Sequence, residues 1–351
     1  MTTEVEVTAQ KSTRNAVVDA SKGLAILLVV LGHALQTHIP QFDDNWLFRA
    51  IYSFHMPMFF LLSGWVVKPD TKGRIRKTLL RLLLPAFCWQ GISYFYFAGT
   101  AQAHNSKGYG FALVGFLENP GSGLWFLWVL ALCIPALVLC RKLEQRIGIL
   151  AYLIGTVILI ALPIPFLDIP TMKLYFPFVV IGYLLSRFSV KARRLIPYLL
   201  GAAVAVWPLL LPFWRRTHEL ATDMPLFIGI AGHRVPTRML EYSGLKLVEG
   251  CAGSSIAVFI AFLLFKYMHL TCLQWLGKHT LDIYVAHQLF VGLFPVSNPV
   301  AIAEAFTSAL CLSILFSVVL RRVPLLDFLL YGGTLKGVKR KSILWASGAS
   351  S

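Results

Sequence analysis

Apolar stretches of membrane-spanning length, separated by short polar segments, run through almost the whole chain. Ten read as helices, at 17–39, 47–67, 79–98, 123–140, 147–163, 172–187, 195–213, 247–265, 280–297 and 300–320. A helix that crosses the hydrocarbon core needs ~20 mostly apolar residues. Pro163, Pro165, Pro295 and Pro299 blur the ends of the fifth, ninth and tenth stretches. The predicted fold class is all-α, a polytopic membrane helix bundle of about ten transmembrane helices. Residues 1–16 are expected to form an N-terminal tail, 17–320 the membrane domain and 321–351 a basic C-terminal tail.

Composition closes off the alternatives. Of 351 residues, 57% are hydrophobic and 14% charged, with mean hydropathy +0.69. Soluble domains carry about 25% charge, and a disordered chain is less apolar still. The six cysteines show no CxxC spacing and read as small core residues rather than as disulfides or metal ligands. The polar start MTTEVEVTAQKSTRN is expected not to be a cleaved signal.

The net charge of +16 raises the question of nucleic acid. A nucleic-acid protein gathers its charge on one soluble face. Here basic residues fall in short runs between apolar stretches. With the N-terminus in the cytoplasm, alternation puts 24 of the 32 Lys and Arg inside and 8 outside. That asymmetry predicts ten crossings with both termini cytoplasmic, and no nucleic-acid partner. The outside segments 99–122 and 214–246 are long enough for a lid or an acceptor platform. Inverted repeats with paired broken helices, a transporter signature, are not evident.

Ionisable side chains within spans are expensive and default to functional roles. The first span carries Asp19, Lys22 and His33. Lys22 and His33 lie about three turns apart, nearly on one face and roughly 16 Å apart along the axis. A snorkelling Lys22 paired with Asp19 is the bland account. The second span enters from the other side, with His55 roughly 13 Å deep beside Pro57. His33 and His55 can therefore meet near mid-membrane, where imidazole suits proton abstraction from a hydroxyl or transient acyl transfer. No third strong ligand stands at helical spacing, so no metal is expected. Lys72, Arg74, Arg76, Lys77 and Arg81 follow the second span. Positive-inside topology and contact with anionic lipid explain them; so does a dock for the phosphates of a cytoplasmic donor. In LGKHTLDIYVAHQLF, His279, Asp282 and His287 stand around the start of the ninth span, His279 and Asp282 on one face, and an interfacial cap with Thr280 or Asp282 near the helix start is the bland account. GSGLWFLWVL at 121–130 reads as an aromatic belt, and can serve as a binding slot as well.

The segments DASKGLAILLVVLGH, IYSFHMPMFFLLSGW, the basic run into RLLLP, LWFL and LGKHTLDIYVAH occur in an order that resembles the integral-membrane acyltransferase family 3. The branch of fucose 4-O-acetylase-like and exopolysaccharide O-acetyltransferases looks nearest. The resemblance implies a ten-helix bundle that moves acetyl from acetyl-CoA, as donor substrate, to a sugar hydroxyl. Its first-helix pattern of a basic residue, ten residues and a His falls on Lys22 and His33, with His33 as the implied catalytic base, and its His-Met-Pro block falls on His55, Met56 and Pro57. The family's Arg-x-x-Arg element is departed from: Thr78 stands three residues before Arg81, with Arg74 and Lys77 nearby. The expected partners are a saccharide or lipid-linked oligosaccharide acceptor, membrane lipids and polysaccharide synthesis or export machinery, xanthan-type exopolysaccharide being the favoured example. The expected location is the bacterial inner membrane, as a stand-alone membrane unit. A flippase or transporter of a lipid-linked glycan, and a non-catalytic export subunit, are the competing classes.

Overall fold

A computed structural model describes residues 15–68, 72–98, 124–162, 167–188, 196–214, 227–230, 233–293 and 299–333, with single positions 164, 194 and 216. Residues 1–14 of the expected N-terminal tail, the whole 99–122 segment and the chain after 333 lie outside the described residues. The described chain is helical apart from one hairpin. In order it forms α1 (Ala16–His38), α2 (Trp46–Val66), α3 (Lys72–Ala98), α4 (Trp125–Ile147), α5 (Leu150–Ala161) and α6 (Ile169–Arg187). Then follow α7 (Ile196–Leu210), a hairpin of β1 (Phe227–Ile230) and β2 (His233–Pro236), α8 (Thr237–Lys266), α9 (Thr271–Lys278), α10 (Thr280–Val291), α11 (Pro299–Leu320) and α12 (Pro324–Tyr331). A helix lies in each of the ten expected stretches, the ninth (280–297) holding the short α10, while α9 falls before it. Six described segments are long and apolar enough to cross a membrane: α1, α4, α6, Ile196–Phe213, Gly244–Lys266 and Val300–Leu320. The protein is a multi-pass membrane protein.

Local chemistry sets the first two helices against each other. Asn15 caps α1 by accepting from the Val17 amide at 3.0 Å, and Asn45 caps α2 by accepting from the Phe48 amide at 3.0 Å. Between them lies only Ile39–Asn45, tightened by a 3-10 turn at Phe42–Asp44 and by an ion pair of Arg49 with Asp44 at 2.8 Å. A link this short makes α1 and α2 antiparallel neighbours.

Small residues then bring backbones together, as membrane bundles do in the absence of a hydrophobic drive between helices. A Cβ on Gly64 of α2 would strike the Val179 carbonyl of α6, and one on Gly182 of α6 would strike the Leu61 carbonyl of α2. Gly23 of α1 meets the Leu273 carbonyl in the same way, and Gly277 of α9 meets the Asp19 carbonyl. Phe60, Phe176, Phe178, Met58, Ile134 and Ile283 fill the interior between these contacts. Leu153, Val157 and Ile158 of α5, Leu199 and Val204 of α7, and Leu315, Val318 and Val319 of α11 face outward. An apolar exterior of this kind is suited to lipid.

The end of the bundle where α1 begins carries most of the ion pairs among the described residues. Glu144 joins α4, α5 and α6, accepting from Arg141 at 2.8 Å, from the Tyr152 hydroxyl at 2.7 Å and from Arg187. Buried Asp282 of α10 accepts from Arg321, whose guanidinium also reaches Asp327 of α12. Trp89 of α3 donates to the Leu330 carbonyl at 2.9 Å, so residues 321–333, expected as the start of a tail, fold onto the bundle instead.

Candidate active site

The first two helices carry most of the site. His33 lies five residues before the end of α1 and His55 nine after the start of α2. Antiparallel packing places both on one cavity of about 470 Å³, near the end of the bundle where α1 finishes. α4 contributes Trp125, α6 contributes Thr171 and Tyr175, α8 contributes Lys246, and α10 contributes Tyr284 and Gln288. Asp168, Trp214 and Arg216 come from the segments between helices.

Pro57 shapes the α2 wall. It has no N–H to return to the Ser53 carbonyl, so the helix loses one internal bond beside His55. The Ser53 hydroxyl donates to the Ala50 carbonyl at 2.9 Å and accepts from the Trp207 indole at 3.0 Å, which fixes α7 against this turn. Opposite stands Gly250 of α8, where a Cβ would come within 2.8 Å of the Pro57 ring and 2.9 Å of Phe178. That close approach brings Lys246, one turn earlier, onto the cavity wall. It also encloses Glu249, which is fully buried with neither carboxylate oxygen hydrogen-bonded among the described residues.

The hydrogen bonds assign the imidazole tautomers. His55 Nδ1 lies 2.8 Å from the Ile51 carbonyl, which only accepts, so Nδ1 carries the hydrogen and Nε2 keeps its lone pair. His287 Nδ1 lies 2.8 Å from the Tyr284 carbonyl and 3.1 Å from that of Ile283, with the same consequence, and its Nε2 has no partner among the described residues. The Tyr52 hydroxyl donates to Gln36 at 2.9 Å and turns a lone pair toward His33 Nδ1 at 3.4 Å. Neutral His33 then also holds its basic nitrogen at Nε2. The ring of His33 lies 5.1 Å from that of His287, and Tyr52 stands between His33 and His55, at 6.2 and 4.6 Å from them. Among the described residues these groups form no cluster able to hold a metal ion.

The other expected site residues lie elsewhere. Asp19, buried, packs where α1 meets α9, and Lys22 is half-buried one turn on. Neither lines the cavity. Arg76, Lys77 and Arg81 are exposed on the first turns of α3, and the helix also carries Lys72 and Arg74 there. A Cβ on Gly332 would come within 3.1 Å of the Arg81 backbone, which ties this basic turn to the end where α1 begins. The histidine cavity and the basic turn therefore occupy opposite ends of α1. Four side chains at or beside the cavity had no assigned role: His287, Arg216, Lys246 and Glu249. The signal for His287 and Glu249 was present, since each is an ionisable residue inside an apolar run. Arg216 and Lys246 sat in a long polar segment and read only as outside charge.

A family model described as "Acyltransferase domain", that of acyltransferase family 3, matches residues 15–322. The chain belongs to this family. Among curated proteins, this acyltransferase family 3 member is similar to the Nodulation protein NolL of Sinorhizobium fredii (strain NBRC 101917 / NGR234), 31% identical over 198 residues. That alignment covers 51% of this chain and 50% of NolL. It is also similar to the NolL of Mesorhizobium japonicum (strain LMG 29417 / CECT 9101 / MAFF 303099), 28% identical over 191 residues with the same coverage. The match spans about half the length of these curated relatives. No solved structure matches the chain. The matched region runs from the cap of α1 to just past the end of α11, so it takes in the cavity and the basic turn together.

Proposed function

We propose that this protein transfers an acetyl group from acetyl-CoA to a hydroxyl of a saccharide acceptor, a lipid-linked unit of an exported polysaccharide, in the bacterial inner membrane. The observation that carries this reading is the placement of His33 and His55 on one cavity, each with Nε2 as the basic nitrogen. His33 Nε2 takes the proton of the acceptor hydroxyl as its oxygen attacks the thioester carbonyl. The tetrahedral intermediate collapses, the carbon–sulfur bond breaks, and the CoA thiolate takes the proton back from the imidazolium. In the covalent version of the same reaction His33 Nε2 carries the acetyl group first and the hydroxyl then displaces it. His55 shares the cavity and supports the proton transfer.

Lys72, Arg74, Arg76, Lys77 and Arg81 are the proposed contacts for the CoA phosphates. Lys22 and Asp19 lie on the α1 stripe between that turn and His33. In this arrangement Lys22 offsets charge on the donor as its thioester arm extends toward the imidazoles. The chain crosses the membrane ten times in this reading, with both termini cytoplasmic, so the donor enters from the cytoplasm and the cavity opens toward the other side. The 24 to 8 distribution of Lys and Arg supports that orientation.

The decisive test uses the full chain in lipid nanodiscs with acetyl-CoA and saccharide acceptors, read by free thiol release and by mass of the product. Acetylated sugar with stoichiometric CoA is the expected result. A folded protein that neither cleaves the thioester nor acetylates any sugar overturns the reading. Mass spectrometry of the cell's polysaccharide with and without the gene identifies the sugar.

A further inference from the structure

The cavity that holds the imidazoles also holds two cations, and the donor's basic turn lies at the other end of α1. Arg216 is exposed on the cavity wall, with its guanidinium 5.5 Å from the Tyr52 ring centre and 5.7 Å from that of Phe42. Tyr52 is itself 4.6 Å from His55. The guanidinium is thus one aromatic ring removed from the His55 imidazole. Lys246 approaches from α8. Asp168 is the carboxylate on the same wall, which two basic side chains therefore share with one acidic one.

We infer that Arg216, assisted by Lys246, forms a subsite for an anionic oxygen group of the acceptor, a carboxylate or phosphate set a short distance from the hydroxyl that is acetylated. A guanidinium carries its N–H donors in a planar fork, the geometry that carboxylate and phosphate oxygens match. Anchoring an anion there holds a neighbouring sugar hydroxyl beside Nε2 of His33, which is positioning of the kind that raises reaction rates. This inference rests on the transfer reading for its meaning, but the binding site is testable without turnover.

Trp125 and Trp214 line the cavity, so ligand entry should change tryptophan fluorescence. The full chain in nanodiscs is titrated with three derivatives of one sugar: a neutral methyl glycoside, the matching uronate glycoside and the glycosyl phosphate. At least one anionic sugar should bind about 10-fold or more tighter than the neutral one, as a charge-assisted bond implies. Which one it is names the source of the anion. Arg216→Gln should erase the difference, and Arg216→Lys should keep part of it. Equal affinity for all three sugars, a preference that survives Arg216→Gln, or a loss confined to acetyl-CoA binding overturns the subsite. A lack of acetyl transfer, with the anion preference intact, overturns the transfer reading instead.

Discussion

His33 of α1 and His287 of α10 lie with ring centres 5.1 Å apart and planes tilted by 45°. His287 is held from behind, its Nδ1 donating to the carbonyls of Tyr284 and Ile283. Its bare Nε2 therefore cannot turn away without breaking those bonds. His287 thus packs the His33 ring in place from the α10 side. His287→Ala should lower turnover about 10-fold or more and leave the Michaelis constant for acetyl-CoA within about twofold. A change in that constant alone would make His287 a donor contact.

His33→Ala should cost ~10²-fold or more in acetylation, the usual yield of a general base. Protein level and membrane insertion should match the parent, since Tyr52, 3.4 Å from the His33 ring nitrogen, keeps its shorter bond to Gln36 when the imidazole is removed. Near-normal activity would remove His33 from the reaction.

The donor end is separable from the chemistry. Arg76→Gln and Lys77→Gln change exposed side chains on the opposite end of α1 from the cavity. Each should raise the Michaelis constant for acetyl-CoA more than it lowers turnover, and added salt should do the same more weakly. Inverted or poorly inserted protein would instead mean that these charges serve topology only.

Close helix contacts carry their own expectation. Gly64→Ala and Gly182→Ala each push a methyl group into a carbonyl of the partner helix, which a backbone cannot yield cheaply. Each should destabilise the detergent-solubilised protein by about 1–3 kcal/mol. Gly201→Ala on α7 meets nothing within 4 Å and should be neutral or slightly stabilising. Equal thermal midpoints for all three variants would contradict the packing.

Much of this was legible along the chain because it follows from local rules. The span of α1 follows from apolar length and Asn15 as cap; the pairing of α1 with α2 follows from a short polar link; and the depth of His33 and His55 follows from residues counted along a helix. Partners across the fold were not legible. Nothing in the spacing of Asp282 and His287 shows that the first turns to Arg321 and the second to His33. Five residues apart, they leave α10 in different directions, and only tertiary packing decides what each meets. The same holds for Arg216, which hydropathy counts as loop charge and the fold lays against Tyr52.

The last expectation concerns His33 and His55 together. Two groups acting on one proton are strongly non-additive, because removing either leaves little for the other to lose. His33→Ala/His55→Ala should therefore be barely worse than the more damaging single change. The structure sharpens the control. His55 Nδ1 donates to the Ile51 carbonyl at 2.8 Å, and the amide of an asparagine stands where that nitrogen does and can supply the same donor. His55→Gln removes the basic nitrogen and puts a neutral amide in the place of Nε2, and His55→Asn beside it keeps the anchor. If His55 only packs beside Pro57, His55→Gln should retain most activity and thermal stability. If its Nε2 takes part in proton transfer, His55→Gln should fold normally and still lose turnover as His55→Ala does. Turnover and melting measured on both single alanine variants, the double and His55→Gln separate the two. Multiplicative losses with an active His55→Gln would take His55 out of the reaction and leave its proton to His33, with His287 at its back.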